Sequence, residues 1–396
     1  MGERILINPE TLSHDYIPDK LPRRESIRKK ILDNLLDFFE SGDSYFSWII
    51  YGHPGVGKTV LARRVAHDLG GFFKENMIIT YVNCRYSGKV YRVLIDIVRQ
   101  VEKSVPERGL SKDDLLNILF QLTAEKTGRI LVILDELGAL FNDQEGVKTR
   151  DMLYSLSRFS EKFIELEKRL QLAVIAIVSK AHEHFFYQWL DRATRASFVK
   201  YELNLETYTK SDLFEILSYR ADLAFKPGTV SENALEHIAS FEASRGGNAR
   251  IAIDILRDAG KVADKRGDGY LGAEHVREVL QYYLAGIDSE IFDALDKHKL
   301  VLLLGIVRGL KELQKSYITR IELEHFYHIV CEEYYEKPRR TTQLLRYLKE
   351  LGRELQEVIE VEVSGRDQRG RSTRIRVNVP LNDLEKRIIM ALDKRL

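Results

Sequence analysis

The sequence predicts an α/β protein: a parallel sheet flanked by helices, then an all-helical segment, then a smaller domain of helices and a hairpin. Three observations support this. Short apolar runs at residues 48–50, 130–134 and 172–178 alternate with helical periods in the first half of the chain. Residues 207–284 have the helical period throughout. Beyond residue 286, three helical periods precede two strand-like runs around a glycine-containing turn.

The size and composition narrow the class of protein. A chain of 396 residues suggests two or three domains. Its 61 basic and 60 acidic residues nearly cancel, so whole-chain charge indicates neither nucleic acid nor membrane. Cys84 and Cys331 match no metal or redox spacing, which favours a reducing compartment. No apolar run is long enough to span a membrane, and the first residues lack a signal-peptide pattern, so we expect a cytoplasmic protein without a membrane partner.

Residues 52–59 complete the pattern G-x-x-x-x-G-K-T between an apolar run and a helix expected from about Val60. Glycines let the backbone aim several N–H groups at one anion, and the helix N-terminus adds a positive field. Lys58 would neutralise the outer phosphates, and the Thr59 hydroxyl would ligate Mg²⁺. We therefore expect ATP or ADP with Mg²⁺ here; the alternative is a plain glycine-rich turn. The candidate cofactor-binding residues are Pro54, Gly55, Val56, Gly57, Lys58, Thr59 and Val60.

The segment before this loop has two possible roles. Its prolines predict extended chain over residues 12–25, followed by a helix over residues 25–40. Tyr16, Ile17 and Pro18, with Arg24, could contact the nucleotide base. Alternatively, the segment is a linker packed on the edge of the domain.

Two acidic residues follow the strand predicted over residues 130–134. After a strand over residues 77–83 and helices over residues 87–101 and 112–125, the run 130–134 ends in Asp135-Glu136. Open parallel sheets bind ligands at the carboxyl ends of their strands. We expect Asp135 to hold Mg²⁺ through water and Glu136 to polarise the water that attacks the γ-phosphate.

Polar residues after the next strand are less specific. Ser179 closes the run 172–178 and is either a sensor of the γ-phosphate or attacking water, or a simple turn residue. His182 and His184 lack partners at metal-ligand spacing, so a surface turn is favoured over a metal site. Arg192 and Arg195 could reach the nucleotide of an adjacent subunit, but surface salt bridges are the favoured interpretation.

The helical segment offers one more nucleotide-site candidate. Its predicted helices cover residues 211–225, 231–243, 248–266 and 273–284, with Asn248 as the N-cap of the third. Arg250 then lies in the first turn, where a cation is unfavourable. We expect Arg250 to face the γ-phosphate, whose loss would let these helices shift. The catalytic candidates are Lys58, Glu136, Ser179 and Arg250.

These features in this order resemble the AAA+ ATPases. More narrowly, residues 15–19, 21–25, 82–84 and 247–260 resemble the archaeal origin-recognition initiators, homologues of cell division control protein six. The similarity spans nearly all 396 residues. It implies that the N-terminal segment lines the adenine pocket and that an additional helix within residues 85–93 is used against DNA.

Three positions depart from the pattern of that family. Ser179 replaces the usual sensor asparagine, which affects the expected rate of hydrolysis. Arg192-Ala193-Thr194-Arg195 replaces a proline-arginine finger. Gly247-Asn248-Ala249-Arg250 replaces a glycine-aspartate-alanine-arginine pattern and keeps the arginine.

The C-terminal part has the element order of a winged helix-turn-helix domain. Helices over residues 298–314, 321–333 and 341–352 precede strands over residues 358–363 and 373–379. Basic residues are concentrated in two stretches, 337–346 at the start of the recognition helix and 366–376 in the wing, which includes Arg374 and Arg376. The helix would read base edges and the wing would contact phosphate or the minor groove, although a basic, solvated hairpin is the alternative. The candidate DNA-binding residues are Arg339, Arg340, Thr341, Thr342, Gln343, Arg366, Arg369 and Arg371.

The expected organisation is therefore an AAA+ α/β base over residues 1–206 (with the adenine segment 1–25), a helical lid over residues 207–286 and a winged-helix domain over residues 287–396. The resemblance implies a replication initiator that binds ATP or ADP, recognises double-stranded origin DNA on the nucleoid and helps recruit the replicative MCM helicase, with slow, regulatory hydrolysis. Other initiator paralogues are further candidate partners. Two alternatives stay open: a nucleotide-bound DNA-binding regulator, either transcriptional or inhibitory to initiation, and a related signalling ATPase whose winged helix contacts proteins.

Overall fold

The computed structural model describes residues 4–159, 170–283, 292, 295–363 and 373–395. The chain forms two compact units: a sheet unit, Ile17–Tyr208, and a helical unit, Met1–Tyr16 with Thr209–Leu396. Within the described ranges, none of the helices is both long enough and apolar enough to cross a bilayer.

The sheet unit is a five-stranded parallel sheet covered by helices, as predicted. The strand order is β2-β3-β4-β1-β5, and every pairing is parallel. The predicted helix over residues 87–101 is instead two helices, because Gly88 between them has a left-handed backbone with φ of 67°. Strand β5 was not predicted. The strands are β1 Tyr45–Gly52, β2 Ile78–Asn83, β3 Arg129–Asp135, β4 Gln171–Ser179 and β5 Tyr201–Leu205; the helices are α1 Glu25–Ser41, α2 Lys58–Phe73, α3 Cys84–Ser87, α4 Val90–Val101, α5 Lys112–Lys126, α6 Gly146–Ser157, α7 Glu183–Trp189 and α8 Arg192–Phe198.

Both faces of this sheet are buried. Alternate residues of β4 pack into two separate apolar clusters, since side chains of a strand point to opposite faces in turn. Helices α1 and α2 cover one face, and α4, α5 and α6 cover the other. This burial explains why the central strands read as continuous apolar runs rather than alternating ones.

The strand register brings the predicted site residues to one edge. Ser179 at the end of β4 is paired with Gly52 at the end of β1, and Asp135 at the end of β3 is paired with Asn83 at the end of β2. Leu134 of β3 is paired with Ala176 of β4, so Asp135 lies two residues short of Ser179, and all three site elements lie near the same edge of the sheet.

The helical unit contains a winged-helix part and four lid helices, and the bounds of the lid helices are close to those predicted. The winged-helix part has an antiparallel sheet of order β6-β8-β7. Strand β6 and the last helix were not predicted, the strand because it has only three residues. The lid helices are α9 Lys210–Ala224, α10 Glu232–Ser244, α11 Ala249–Arg266 and α12 Ala273–Tyr283; the winged-helix part consists of α13 Lys297–Leu313, β6 Tyr317–Thr319, α14 Arg320–Glu333, α15 Thr341–Glu354, β7 Ile359–Val363, β8 Thr373–Val377 and α16 Leu381–Asp393.

The N-terminal residues of the helical unit are tied to the lid. The backbone N–H of Ile5 donates to Asp264 Oδ1 at 2.7 Å, and that of Ile7 donates to Ala224 O at 2.9 Å. Apart from a 3₁₀ turn at Pro9–Leu12, the described residues 4–24 form no helix, as the prolines predict.

Buried polar groups join the lid helices to the winged-helix part. The Arg277 guanidinium, 2% exposed as a residue, donates to the carbonyls of Val377 and Lys315, each at 3.1 Å. His237 Nε2 lies 3.0 Å from Asn378 Oδ1, and both residues are buried. Because an unpaired buried polar group is costly, these bonds hold the two parts in one arrangement.

Candidate functional site

The loop between β1 and α2 has the backbone that a phosphate cradle requires. Gly52 and Gly57 have φ values of 153° and 88°. A Cβ on Gly52 would lie 2.8 Å from Leu205 O, and one on Gly57 would lie 2.8 Å from the Tyr208 hydroxyl. Only glycine fits either position, so the loop can turn tightly and present its N–H groups to an anion.

The remaining loop residues divide between core and surface. Val56 is fully buried in the sheet-unit core and anchors the loop, whereas Pro54 is exposed. Gly55 has a φ of 78°, and Val60 is half-buried in the first turn of α2. Lys58 Nζ donates to the carbonyls of Gly52 and His53, each at 2.7 Å, so the ammonium lies over the loop itself.

Asp135 is the centre of a hydrogen-bond cluster. The residue is 2% exposed, and its Oδ2 accepts from Thr59 Oγ1 at 2.9 Å and from Tyr81 OH at 2.7 Å. Its Oδ1 accepts from the Glu136 N–H at 2.8 Å. Since the Thr59 proton faces Asp135, the lone pairs of the Thr59 oxygen are left for a cation. A hydroxyl oxygen beside a carboxylate is a donor set that fits Mg²⁺.

Tyr81 keeps its proton in this cluster. Burial raises the pKa of Tyr81 well above its usual range, and the neighbouring Asp135 charge is the next largest cause of this rise. The phenol is therefore a hydrogen-bond donor to Asp135 at neutral pH.

The backbone of Glu136 is left-handed, with φ of 51°, so the direction of its side chain differs from that of the preceding strand residues. Such a conformation costs a non-glycine residue about 1–3 kcal/mol and is typical of functional sites. Its carboxylate lies 3.5 Å from the Arg85 guanidinium, and both side chains are substantially exposed. The pair is therefore weak, which leaves Glu136 able to accept a hydrogen bond from water.

Ser179 is bonded to a histidine. Its Oγ lies 2.8 Å from Nδ1 of His182, which is half-buried in the 3₁₀ turn Lys180–His182. His182 does lie in a turn, as expected, but its ring is directed at the candidate sensor rather than at solvent. His184 is exposed.

Arg24 reaches the phosphate loop through Tyr208. Its guanidinium lies 4.4 Å from the centre of the Tyr208 ring, and its Nε donates to the Tyr208 hydroxyl at 3.2 Å. A second nitrogen donates to Glu206 O at 2.6 Å. Because the Tyr208 hydroxyl lies against Gly57, Arg24 and Tyr208 form one wall beside the loop.

The other three base-site candidates lie in different surroundings. The Tyr16 ring lies 5.0 Å from the Arg220 guanidinium within the helical unit. Burial lowers the pKa of Arg220 to about 10. In the sheet unit, Ile17 is half-buried and Pro18 is buried, with Arg64 of α2 donating to Pro18 O at 3.4 Å.

The candidate arginines of α8 and α11 are exposed. Asn248 caps α11 as predicted, accepting from the N–H groups of Arg250 at 3.0 Å and Ile251 at 3.3 Å. Arg250 is thus fixed in the first turn of α11 with an exposed side chain. Arg192 is exposed at the start of α8, and the Arg195 guanidinium lies 4.4 Å from the centre of the Tyr187 ring.

The start of α15 presents polar and basic groups to solvent. Arg340, Thr341 and Thr342 are exposed there, and Gln343 is half-buried. Arg339 instead donates through two nitrogens to Nε2 of His298, at 2.9 and 2.7 Å. The positive end of the helix and Arg340 together favour an anion such as a DNA phosphate.

The wing prediction needs one correction. Arg366, Arg369 and Arg371 lie outside the described residues. Arg376, counted with them in the basic stretch of the wing, is fully buried, and its guanidinium pairs with Glu362 at 2.8 Å and with Glu236 of α10 at 3.3 Å. Arg374 lies 3.4 Å from the same Glu236 carboxylate. The prediction was wrong for these two arginines because β8 is the central strand of its sheet, and this side of it packs on a lid helix.

Sequence reasoning missed three residues of the site. Tyr81 is two positions before the end of β2, and only the pairing of β2 with β3 places it beside Asp135. Tyr208 follows the unpredicted strand β5, so nothing in the sequence indicated its place beside Gly57. His182 was noticed, but the spacing Ser-x-x-His was not connected with a hydrogen bond.

Three protein-family models match the chain: an AAA domain over residues 47–183, a Cdc6 AAA+ ATPase-type lid domain over residues 214–281 and the CDC6 C-terminal winged helix domain over residues 290–387. The ORC1-type DNA replication protein 2 of Saccharolobus solfataricus is 29% identical over 390 residues, which cover 96% of this chain and 91% of that protein.

Solved structures have a similar fold along the whole chain. Cdc6p from Pyrobaculum aerophilum is 30% identical, with a TM-score of 0.79 and coverage of 99% of this chain and 100% of that one. The Aeropyrum pernix ORC1 protein in complex with DNA, 24% identical, has a TM-score of 0.61 over 100% of this chain and 98% of that one, which shows a shared fold. The matched domains and their order along the whole chain identify it as a member of the archaeal Orc1/Cdc6 family of AAA+ DNA replication proteins.

Proposed function

We propose that this protein is a nucleotide-switched initiator that binds ATP or ADP with Mg²⁺, recognises double-stranded origin DNA and helps recruit the replicative MCM helicase. The observation that carries the nucleotide half is the contact of Thr59 with Asp135, which joins the glycine loop to the acidic strand end. The DNA half rests on the exposed, basic start of α15.

Each candidate site residue of the sheet unit has a role in this proposal. The loop N–H groups and Lys58 hold the phosphates, while Thr59 and Asp135 hold the cation. Mg²⁺, when bound, neutralises charge on the phosphates. Glu136 orients and polarises the attacking water, and Ser179 contacts the γ-phosphate or that water. Arg24 and Tyr208 contact the nucleotide beside Gly57, with Ile17 and Pro18 nearby in sequence.

Two further candidates for nucleotide contact, Arg250 and Tyr16, belong to the helical unit. Arg250 senses the γ-phosphate, and its release after hydrolysis changes the state of the lid. We propose slow, regulatory turnover because a serine hydroxyl, which carries one proton, stands in place of a sensor asparagine, whose amide carries two.

For DNA, we propose that α15 enters the major groove and that the wing arginines contact the backbone. Arg340 contacts phosphate, while Thr341, Thr342 and Gln343 face base edges. Arg339, held by His298, contributes to the local positive field. The fold shared with an ORC1 protein that binds DNA supports this assignment. Binding at an origin places the protein on the nucleoid, with paralogous initiators as further partners.

The nucleotide proposal is tested with Lys58→Ala and Asp135→Asn. We expect Lys58→Ala to weaken ATP and ADP binding, and Asp135→Asn to weaken only the Mg²⁺-dependent part and to abolish hydrolysis. Binding is measured by titration with a fluorescent nucleotide, with and without EDTA. Lys29→Ala, an exposed change on α1, is the matched control. Unchanged binding and turnover in both site variants would refute the assignment.

The DNA proposal is tested by the salt dependence of affinity. Each lost phosphate contact should flatten the slope of log K against log salt by roughly 0.9. We expect Arg340→Ala to flatten this slope, and we expect the triple change of Arg366, Arg369 and Arg371 to alanine to flatten it more strongly. Arg353→Ala, exposed at the other end of α15, is the control. Equal slopes for all variants would remove the DNA role from the wing and the start of α15, and a lack of any salt-sensitive DNA affinity would favour a signalling ATPase.

Two further measurements separate an initiator from a DNA-binding regulator. Footprinting on origin and promoter fragments shows which DNA is preferred. A pull-down with purified MCM helicase tests recruitment. Promoter binding without helicase capture would favour the regulator.

A further inference from the structure

The bond between Ser179 and His182 has a consequence for how the sensor works. A serine hydroxyl carries one proton and rotates freely, whereas an asparagine amide presents its donors in a fixed plane. Without a second group, the Ser179 proton would have no defined direction. The 2.8 Å contact with His182 Nδ1 supplies that second group.

The imidazole is itself held in place. A Cβ on Gly138 would lie 2.5 Å from His182 Cβ and 3.0 Å from its Cγ, so the His182 side chain packs directly against the Gly138 backbone. Gly138 belongs to the turn Leu137–Leu140, which follows Asp135 and Glu136. His182 thus bridges the ends of β3 and β4, and a residue larger than glycine at position 138 would displace it.

We propose that His182 is a positioning residue that directs the Ser179 hydroxyl at the γ-phosphate, an inference that rests on the proposed ATPase function. With Nδ1–H donating to Oγ, one lone pair of Ser179 is occupied and its own proton is left to donate to an anionic oxygen. The two side chains together then present the fixed donor that a single asparagine amide would present. In this arrangement the Nδ1-protonated imidazole is the form that supports phosphate contact.

The proposal is tested with two substitutions at one site. His182→Leu keeps apolar bulk beside Gly138 but removes the nitrogen, whereas His182→Asn places an amide near the position of Nδ1. A hydrogen bond of about 1–1.5 kcal/mol predicts a roughly five- to tenfold lower kcat for His182→Leu, because about 1.4 kcal/mol is tenfold in rate. His182→Asn should recover most of that loss. His184→Asn, exposed on α7, should leave kcat unchanged.

Nucleotide affinity gives a readout that a merely structural role would not move. If His182 acts through Ser179 on the γ-phosphate, His182→Leu should weaken the binding of a non-hydrolysable ATP analogue about fivefold, which is the loss of affinity that about 1 kcal/mol produces. ADP affinity should change less than twofold. In a double-mutant cycle, Ser179→Ala with His182→Leu should be no slower than Ser179→Ala alone.

Several outcomes would overturn the inference. These are equal losses for ADP and the ATP analogue, additive effects in the cycle, or His182→Asn behaving like His182→Leu. Should His182→Leu fail to fold, Ser179→Ala still decides, because full kcat in that variant contradicts the role. Absence of ATP binding by the unaltered protein would instead refute the proposed function, so the two failures are distinguishable.

Discussion

Replacing Tyr81 with phenylalanine removes one hydrogen bond to Asp135 and leaves the ring. The phenol donates at 2.7 Å to a carboxylate that is 2% exposed. A hydrogen bond to a charged group contributes about 1.5–3 kcal/mol, and no cavity is created. Since Thr59 and the Glu136 N–H still donate to Asp135, we expect Tyr81→Phe to lower the free energy of unfolding by about 1.5 kcal/mol in EDTA.

The sheet unit has its own optical probe. Both tryptophans of the chain, Trp48 and Trp189, lie in it, so intrinsic fluorescence during urea unfolding follows this unit. With Mg²⁺ and ATP, a cation compensates the carboxylate charge, and the gap between Tyr81→Phe and the unaltered protein should narrow. Tyr154→Phe, a partly exposed tyrosine on α6, should change stability by less than about 0.5 kcal/mol.

Two results would refute this reasoning. One is a Tyr81→Phe protein as stable as the unaltered one in EDTA, which would mean that Tyr81 does not support Asp135. The other is a stability gap that Mg²⁺ and ATP leave unchanged, which would mean that the phenol and the cation do not act on the same carboxylate.

Three further expectations concern the helical unit. Glu236→Gln should lower the free energy of unfolding by roughly 2 kcal/mol, because buried Arg376 loses a charge partner at 3.3 Å. The melting temperature, measured by circular dichroism of the helices, should fall accordingly, and an unchanged melting temperature would contradict this expectation. Burial raises the pKa of Glu242 to about 7. The folded state therefore holds a proton that the unfolded chain releases near pH 4.5. Because of this difference, the free energy of unfolding should fall as pH rises from about 4.5 to 7. Glu242→Gln should remove that fall, and an unaltered pH slope would argue against it. Asn248→Ala should cost about 1 kcal/mol through loss of the α11 cap and should weaken ATP-analogue binding through Arg250; equal stability would show that the cap is dispensable.

The sequence was sufficient for most of the fold because its strongest signals are local. The runs ending at Asp135 and Ser179 are too apolar to be anything but buried strands, and the glycines of residues 52–57 define a turn on their own. Capping residues such as Asn248 likewise act within one turn of their helix. Strand β6 carries too few residues for a periodic signal, and β5 has an exposed edge-strand pattern.

Two of the three missed site residues, Tyr81 and Tyr208, depend on pairing between distant segments, whereas the contact of His182 with Ser179 is local. Tyr81 meets Asp135 only because β2 and β3 are neighbours in a particular register, and Tyr208 meets Gly57 only after β5 joins the sheet edge. The burial of Arg376 is the same kind of effect, since charge along the chain does not show which face packs on α10. Such contacts are tertiary, and no window of sequence contains them.

The buried bonds of Arg277, His237 and Arg376 bear on how this protein can be divided. A fragment that starts near residue 287 would keep the winged-helix elements but lose the lid partners of Arg376 and Asn378. It would expose surfaces that are normally covered and leave Arg376 with Glu362 but without Glu236, so we expect it to precipitate or fold poorly. Truncation studies of DNA affinity therefore need to retain the helices from residue 209 onward.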